Sequence, residues 1–351
     1  MKLLDSVNTL LFSLRKRKSD SNSILGKVMV VSSTGFGDTL LSTPAIKTLR
    51  KSFPESIIIF LVNKKYSGLF LNYKYVNTIW DYSGGYINLI SIIIRCRINN
   101  IHTILFFHSN GPEDIFISLL SGASNILKWT DNIDHKYQKL FLNDISMKEE
   151  HNIEKKINLV RCFNPKSIDT TMSISDHFYS KDLVDFFQTK KKIIGIQLGA
   201  QDIYKIWPVE NVIKLSLHLL SKDFFLVFFG ATKFEHEMMS KIEKKVNSDS
   251  QCNLVQKTKI IDLPGILKQL NLLITNDTGI LHLSIAMKVK SLSLFGPTSS
   301  LEFGAYQDNE IHKSIQKDGF FVNNLPKKKR TQDGMKLISV GEVIAKIEEI
   351  I

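Results

Sequence analysis

The short stretch GFGD, residues 35–38, combines residue types that could perform acid–base chemistry. It follows the apolar run KVMVVS, residues 27–32, so the pattern predicts a buried strand, a glycine turn and then a helix. A carboxylate placed at such a turn, here Asp38, could accept a proton from a substrate hydroxyl. Aspartate is also a favoured helix N-cap, so two interpretations of Asp38 remain open: a general base and a helix cap.

A dinucleotide-binding turn is a poor interpretation of this stretch. That motif needs a small residue three positions after its second glycine, so that the helix packs closely on the strand. Leu40 occupies that position. The carboxylate of Asp38 would also repel a pyrophosphate and compete with it for the N–H groups of the helix start.

Lys205 lies in a second stretch of interest, LGAQDIYKIWPVENV, residues 198–212. The stretch follows a predicted strand and precedes a helix that should begin near Pro208, because proline suits the first helical turn. A lysine in that loop could neutralise the charge of a diphosphate leaving group. A solvated surface lysine is the alternative.

A third stretch, LLITNDTGILHLSIAM, residues 272–287, predicts a buried strand, a turn and a helix that starts near Gly279. The free N–H groups of such a helix start are a natural seat for a phosphate. His282 follows three residues later, where it could donate a hydrogen bond to a phosphate or a sugar hydroxyl. A structural histidine is the alternative.

Several other classes of site are not indicated. The sequence has no DxD motif in the predicted turns, no HExxH or paired-histidine spacing, no GxSxG and no P-loop, so we expect neither a metal site nor hydrolase or NTPase chemistry. The cysteines, Cys96, Cys162 and Cys252, are far apart, which favours a reducing cytosol over a disulfide framework.

Short apolar runs alternate with amphipathic runs from residue 26 to about 130, and again from about 190 to 300. Such alternation predicts βαβ units, parallel sheets and two Rossmann-like domains that face a cleft. We expect a basic amphipathic segment at 1–24, an N-terminal domain at 25–180, a C-terminal domain at 181–335 and a closing helix at 336–351.

The formal net charge of +12 indicates an anionic partner. Leucines and valine at helical spacing precede RKRK, residues 15–18, which fits either a helix on an anionic membrane face or one packed on its own domain. Nucleic acid is not expected, because the sequence lacks interleaved aromatic residues and a recognition motif. No apolar run reaches the roughly 20 residues that span a bilayer.

Four stretches of the sequence, in this order, resemble glycosyltransferase family 9, the ADP-heptose:lipopolysaccharide heptosyltransferases and their relatives. They are the GFGD stretch with its following LLSTPAIKTLRKSFP, the KIWP stretch, the DTGILH stretch and the closing MKLISVGEVIAKIEEI. The resemblance covers most of residues 26–351. It implies the α/β GT-B fold, with the acceptor held mainly by the N-terminal domain and the nucleotide-sugar by the C-terminal domain. It also implies an inverting transfer that uses no metal and no cofactor beyond the donor.

The resemblance also implies roles for individual residues. Asp38 becomes the general base that deprotonates the acceptor hydroxyl for in-line attack on the anomeric carbon. The donor diphosphate would be held by Lys205, by backbone N–H groups of Asp277, Thr278 and Gly279, by His282 and by Gln201. Thr232 and Glu235 stand where some relatives place a ribose-binding glutamate.

The chain departs from the family in lacking cysteines before its last helix and in having a polar stretch at 131–190 with no feature that identifies the acceptor. These departures bear more on the choice of heptose than on the glycosyltransferase class. From the resemblance and the basic charge we expect a cytoplasmic enzyme, peripheral on the inner membrane face, that moves heptose from an ADP-linked donor to a lipopolysaccharide core or a related anionic glycan. Two alternatives remain: another nucleotide-sugar, used for O-antigen, capsule or protein glycan, and a non-catalytic nucleotide-sugar-binding or membrane-surface scaffold.

Overall fold

The computed structural model describes residues 26–109, 111–129, 138, 141, 150–179, 187, 189–321, 325–326 and 329–351. The chain divides into two compact units, residues 1–176 (unit 1) and 177–351 (unit 2). The predicted basic segment at 1–24 and the predicted boundary at 180/181 lie outside the described residues.

Unit 1 is built on a five-stranded sheet in which every described pairing is parallel, in the order β3-β2-β1-β4-β5. Its strands are β1 Lys27–Ser32, β2 Ile57–Asn63, β3 Thr78–Tyr82, β4 Thr103–His108 and β5 Asn125–Leu127. Its described helices are α1 Phe36–Ser52, α2 Tyr86–Ile98, α3 Gly111–Leu120 and α4 Asn152–Arg161, with a 3₁₀ turn at Ser67–Phe70.

The sheet of unit 1 is covered by helices, which explains why its central strands read as continuous apolar runs rather than as alternating ones. In β1, every residue from Val28 to Ser32 is buried. One face of the sheet packs on residues of α2 and α3, and α1 and α4 pack against each other.

Unit 2 has a six-stranded parallel sheet in the order β11-β10-β9-β6-β7-β8. Its strands are β6 Ile193–Gln197, β7 Phe225–Phe229, β8 Gln251–Asn253, β9 Leu272–Asn276, β10 Ser291–Phe295 and β11 His312–Gln316. Its described helices are α5 Val209–Ser221, α6 Lys233–Glu243, α7 Leu263–Leu267, α8 Gly279–Ala286, α9 Ser300–Phe303, α10 Asp333–Lys336 and α11 Val340–Ile350. Further 3₁₀ turns lie at Asp176–Tyr179, Ile203–Lys205 and Ile260–Asp262.

The last helix, α11, covers Val340–Ile350 of the predicted closing segment. Ser339 and Glu342 make a capping box, in which each side chain accepts a hydrogen bond from the other residue's backbone N–H. Val343 and Ile347 of α11 belong to the same buried core as Val212 of α5. The predicted closing segment, 336–351, therefore lies in unit 2.

The two sheets share one strand order. Unit 1 runs 3-2-1-4-5 in its own strand numbers, and unit 2 repeats this order with a sixth strand after the fifth. In such sheets the order reverses between the first and fourth strands, and ligands bind beyond the carboxyl ends of the strands at that switch point. The switch points lie between β1 and β4 and between β6 and β9. The predicted α/β class, with two Rossmann-like units on parallel sheets, is confirmed.

Candidate functional site

Asp38 lies at the switch point of unit 1. Helix α1 begins at Phe36 after β1, and its N-cap is Gly35, which has extended backbone angles. Asp38 is the third residue of the helix, so the interpretation of Asp38 as the N-cap is wrong. Its carboxylate folds back over the turn, where a Cβ at Gly35 would overlap Asp38 Oδ2. Glycine at position 35 therefore makes room for this carboxylate.

His108 contacts Asp38 from the neighbouring strand. His108 ends β4, and its Nε2 lies 3.4 Å from Asp38 Oδ2. The register of β1 and β4 shifts between Val31, which pairs with Phe106, and Ser32, which pairs with His108. Such irregularities re-aim side chains at sheet rims. The imidazole is thereby brought to the loop that carries Asp38.

The other ring nitrogen of His108 is also engaged. Thr34 Oγ1 contacts His108 Nδ1, and the hydroxyl of Tyr66 donates to the carbonyl oxygen of Thr34. Burial raises the pKa of Tyr66 to about 12, so that its hydroxyl stays protonated. When the Thr34 hydroxyl donates to Nδ1, the tautomer with hydrogen on Nε2 faces Asp38.

Two lysines lie near this pair, one buried and one half-buried. Lys156 is on the buried face of α4 with only 2% of its surface exposed, and burial lowers its pKa to about 8 against the opposing attraction of Asp38. Burial also lowers the pKa of Lys128 to about 8, although Lys128 pairs with the buried carboxylate of Asp114. Burial, assisted by both lysines, lowers the pKa of His108 and favours its neutral form, while Asp38 acts in the opposite direction.

Lys205 and Asp277 form the centre of a second candidate site, at the switch point of unit 2. Lys205 Nζ lies 2.6 Å from Asp277 Oδ2, and Thr298 Oγ1 donates to the same oxygen at 2.9 Å. Lys205 follows β6, Asp277 follows β9 and Thr298 follows β10, which are adjacent strands in the sheet. The lysine ammonium is thus fixed at the carboxyl edge of three strands.

Asn276 joins the two loops of this candidate site. Its Oδ1 accepts a hydrogen bond from the backbone N–H of Trp207 at 3.1 Å, and its Nδ2 donates to the carbonyl oxygen of Gly199 at 3.2 Å. The indole of Trp207 in turn donates to the carbonyl oxygen of Ile338 at 2.9 Å. These bonds give a structural reason for the asparagine and tryptophan of the two predicted stretches.

Helix α8 begins beside this ion pair. Thr278 is its N-cap and Gly279 its first residue, and the Thr278 side chain makes no capping hydrogen bond. Both residues are half-buried, so the start of the helix is partly exposed beside the ion pair of Lys205 and Asp277. His282 is the fourth residue of this helix and is buried.

The remaining predicted residues are Gln201, Thr232 and Glu235. Gln201 is exposed in the loop after β6. Glu235 is buried, accepts hydrogen bonds from the N–H groups of Ala231 and Thr232 at 2.7 and 2.6 Å, and accepts a third from Gln197 at 2.8 Å. Thr232 and Glu235 form the capping box of α6. Their predicted role with a ribose stays a prediction.

Within the described residues, no group of three or more His, Cys, Asp and Glu side chains is placed to hold a metal ion. The predicted absence of a metal requirement stays a prediction.

The sequence reasoning missed three residues: His108, Lys156 and Thr298. Each lies in a sequence pattern that could have indicated it. His108 ends the apolar run TILFF, and Thr298 follows the turn after β10. Lys156 lies three residues after Ile153 and four before Val160, on the apolar stripe of its helix. A lysine on a buried stripe stands out, because lysine is almost never fully buried unless it is paired.

Taken separately, unit 1 presents a carboxylate with a histidine, and unit 2 presents a fixed ammonium beside a helix start. These groups suit an enzyme that transfers a group from a phosphate-linked donor. The model of glycosyltransferase family 9 (heptosyltransferase) matches residues 119–331, and the chain belongs to this family of glycosyltransferases.

Relatives of known sequence and structure agree with this assignment. Lipooligosaccharide heptosyltransferase 2 of Campylobacter jejuni subsp. jejuni serotype O:2 is 28% identical over 306 residues, which cover 83% of this chain and 87% of the relative. A family 9 glycosyl transferase from Veillonella parvula DSM 2008 has a similar structure, with a TM-score of 0.75, 21% identity and coverage of 95% of this chain and 98% of the other. The E. coli ADP-heptose lps heptosyltransferase II gives a TM-score of 0.72, 17% identity and coverage of 93% and 98%. The predicted GT-B fold is confirmed.

The buried Lys156 predicts a pH-dependent stability. Its folded-state pKa of about 8 lies below the ordinary 10.5. The charged lysine therefore destabilises the folded protein below pH 8, and this destabilisation decreases as the pH rises to 10.5. We expect Lys156→Met to raise the free energy of unfolding at pH 7 by up to about 3 kcal/mol, and by much less at pH 10.5. Denaturant titration at both pH values measures this difference.

The exposed Lys222 supplies a control, because Lys222→Met should leave the stability unchanged at both pH values. A loss of stability in Lys156→Met that is equal at pH 7 and pH 10.5 would contradict the expectation.

Proposed function

We propose that this glycosyltransferase moves heptose from ADP-heptose to a lipopolysaccharide or lipooligosaccharide core by an inverting, metal-independent displacement. The observation that carries the proposal is the ammonium of Lys205, fixed by Asp277 beside the start of helix α8. The similarity to a lipooligosaccharide heptosyltransferase and to an ADP-heptose lps heptosyltransferase supports the choice of heptose, ADP and a lipopolysaccharide-type acceptor.

In the proposed reaction, unit 2 binds the donor diphosphate. Lys205 Nζ pairs with a phosphate oxygen, and the first-turn N–H groups of α8, beginning with Gly279, donate to another. These donors offset the negative charge that grows on the diphosphate as the sugar leaves. They supply the electrostatic stabilisation that a divalent cation provides in other transferases, which is the reason for proposing a metal-independent transfer.

Unit 1 supplies the base. The acceptor hydroxyl oxygen attacks the anomeric carbon, the bond from that carbon to the phosphate oxygen breaks on the opposite side, and the hydroxyl proton moves to Asp38. Attack opposite the leaving group inverts the anomeric configuration. His108 acts as a positioning residue, because its Nε2–H, 3.4 Å from Asp38 Oδ2, holds one carboxylate oxygen and leaves the other for the acceptor.

The charge of the chain fits the proposed acceptor. A net charge of +12 attracts the phosphates and acidic sugars of a lipopolysaccharide core. Because such an acceptor is lipid-linked, the proposed place of action is the cytoplasmic face of the inner membrane.

A panel of ADP-, UDP-, GDP- and CMP-sugars, titrated by calorimetry with and without Mg²⁺, tests the proposed donor. We expect ADP-heptose to bind best and equally well without metal. Lys205→Met should weaken its binding about 10- to 100-fold through loss of a charge-assisted contact, whereas Lys222→Met should not. Preference for another nucleotide would reject ADP-heptose, and a requirement for Mg²⁺ would reject metal independence. No binding of any sugar-nucleotide would favour a scaffold.

Replacing Asp38 by asparagine tests the base. Asp38→Asn should lower kcat about 100-fold or more and leave the affinity for ADP-heptose unchanged, because only the proton acceptor is lost. Steady-state kinetics together with donor calorimetry measure both quantities. A variant that unfolds, but whose folded fraction turns over at the normal rate, would show instead that Asp38 only supports helix α1.

Two substitutions of His108 test its positioning role. Glutamine keeps an N–H donor for Asp38 and should retain most of the activity. Leucine removes the donor, so kcat should fall about 10-fold at unchanged donor KM, and the acidic limb of the pH–rate profile should move to higher pH. Equal behaviour of His108→Gln and His108→Leu would reject the role.

A further inference from the structure

Helix α2 of unit 1 has two apolar faces. Its inner face contributes Leu89, Ile92, Ile93 and Cys96 to the buried core. Its outer face carries four isoleucines whose surfaces remain mostly exposed: Ile87 at 85%, Ile90 at 57%, Ile94 at 50% and Ile98 at 74%. Surface helices ordinarily present charged or polar residues on that side. We call these four residues the isoleucine stripe.

The stripe is continuous along the helix. Its members are separated by three, four and four residues, so that they lie one above another on a single face. Tyr86, at the helix start, extends the stripe with 65% of its surface exposed. Scattered exposed apolar residues need no explanation, but a contiguous row of them marks an interaction surface.

The charges of α2 are all positive. The helix has no acidic residue, and its only charged residues are Arg95 and Arg97 in the last turn. Arg95 lies over the ring of Trp80, with its guanidinium carbon 4.1 Å from the ring centroid, and Arg97 is exposed beside Ile98. An exposed apolar stripe, a tyrosine at one end and arginines at the other are side-chain types that helices use at a membrane interface, where apolar residues enter the acyl boundary and basic residues meet the headgroups.

We propose that the isoleucine stripe of α2 docks unit 1 on an anionic lipid surface, with the isoleucines entering the acyl boundary and the arginines contacting the headgroups. The alternative occupant is a second copy of this chain. A two-fold interface would bring α2 against α2, and neither helix has a carboxylate to pair with the arginines of the other. Anionic headgroups neutralise those arginines, and the charge of +12 favours the same partner.

The inference uses only α2 and is independent of the sugar and the nucleotide proposed above. It also differs from membrane contact through the basic segment at 1–24, because any vesicle binding by that segment is retained when only the stripe is changed.

Sedimentation of the full chain with vesicles tests the proposal. Wild type should bind vesicles of phosphatidylcholine with one quarter phosphatidylglycerol more tightly than phosphatidylcholine alone, and less tightly as salt is raised. The triple variant Ile87→Gln, Ile94→Gln and Ile98→Gln should bind at least about 10-fold more weakly, since it loses three insertable side chains. A control changes three other exposed apolar residues, each about half exposed or more, to glutamine: Leu71, Ile168 and Leu217.

Three results would overturn the proposal. They are an absence of vesicle binding by wild type, equal binding by the stripe variant and the control, and a wild-type dimer in sedimentation equilibrium that the stripe variant dissociates. Donor calorimetry on the same variants separates this proposal from the proposed function, because the stripe variant should bind ADP-heptose as wild type does.

Discussion

Parallel hydrogen bonding between the first and fourth strands of each unit positions the central residues of both candidate sites. β1 pairs with β2 on one side and with β4 on the other, and β6 pairs with β7 and β9 in the same way. The connections on the two sides of that central strand leave in opposite directions, so that the loops at its carboxyl end separate and expose the strand ends. Asp38 and His108 occupy this position in unit 1, and Lys205 and Asp277 occupy it in unit 2.

Charges buried beside these strand ends oppose folding. Lys156 is nearly fully buried, and its one described hydrogen bond runs to Asn152 Oδ1 at 3.4 Å. The negative charge of Asp38 favours the charged form of this lysine but does not fully offset its loss of hydration. Unit 1 therefore keeps a cation near its carboxylate at a cost in stability, a pattern typical of functional sites.

Much of the fold could be predicted from the sequence because strands buried on both faces leave continuous apolar runs, and glycine turns follow them. The same reasoning found Asp38, Lys205 and the NDTG turn, since each lies at a transition from a strand to a helix. It could not find His108, because its contact with Asp38 depends on the strand order and on the register shift at Ser32. The apolar pattern of α2 likewise gives no indication that one of its two apolar faces is exposed.

The ion pair of unit 2 bears on catalysis as well as on binding. Asp277 holds the ammonium of Lys205 in place, while Thr298 gives the carboxylate a second hydrogen bond that does not depend on the lysine. In the proposed reaction, a diphosphate competes with Asp277 for the ammonium, and its attraction grows as the sugar leaves and negative charge accumulates on the phosphate. The loss of the Lys205–Asp277 contact is therefore offset least by the intact donor and most by the transition state. A lysine paired in this way favours the reaction step over tight binding of the intact donor.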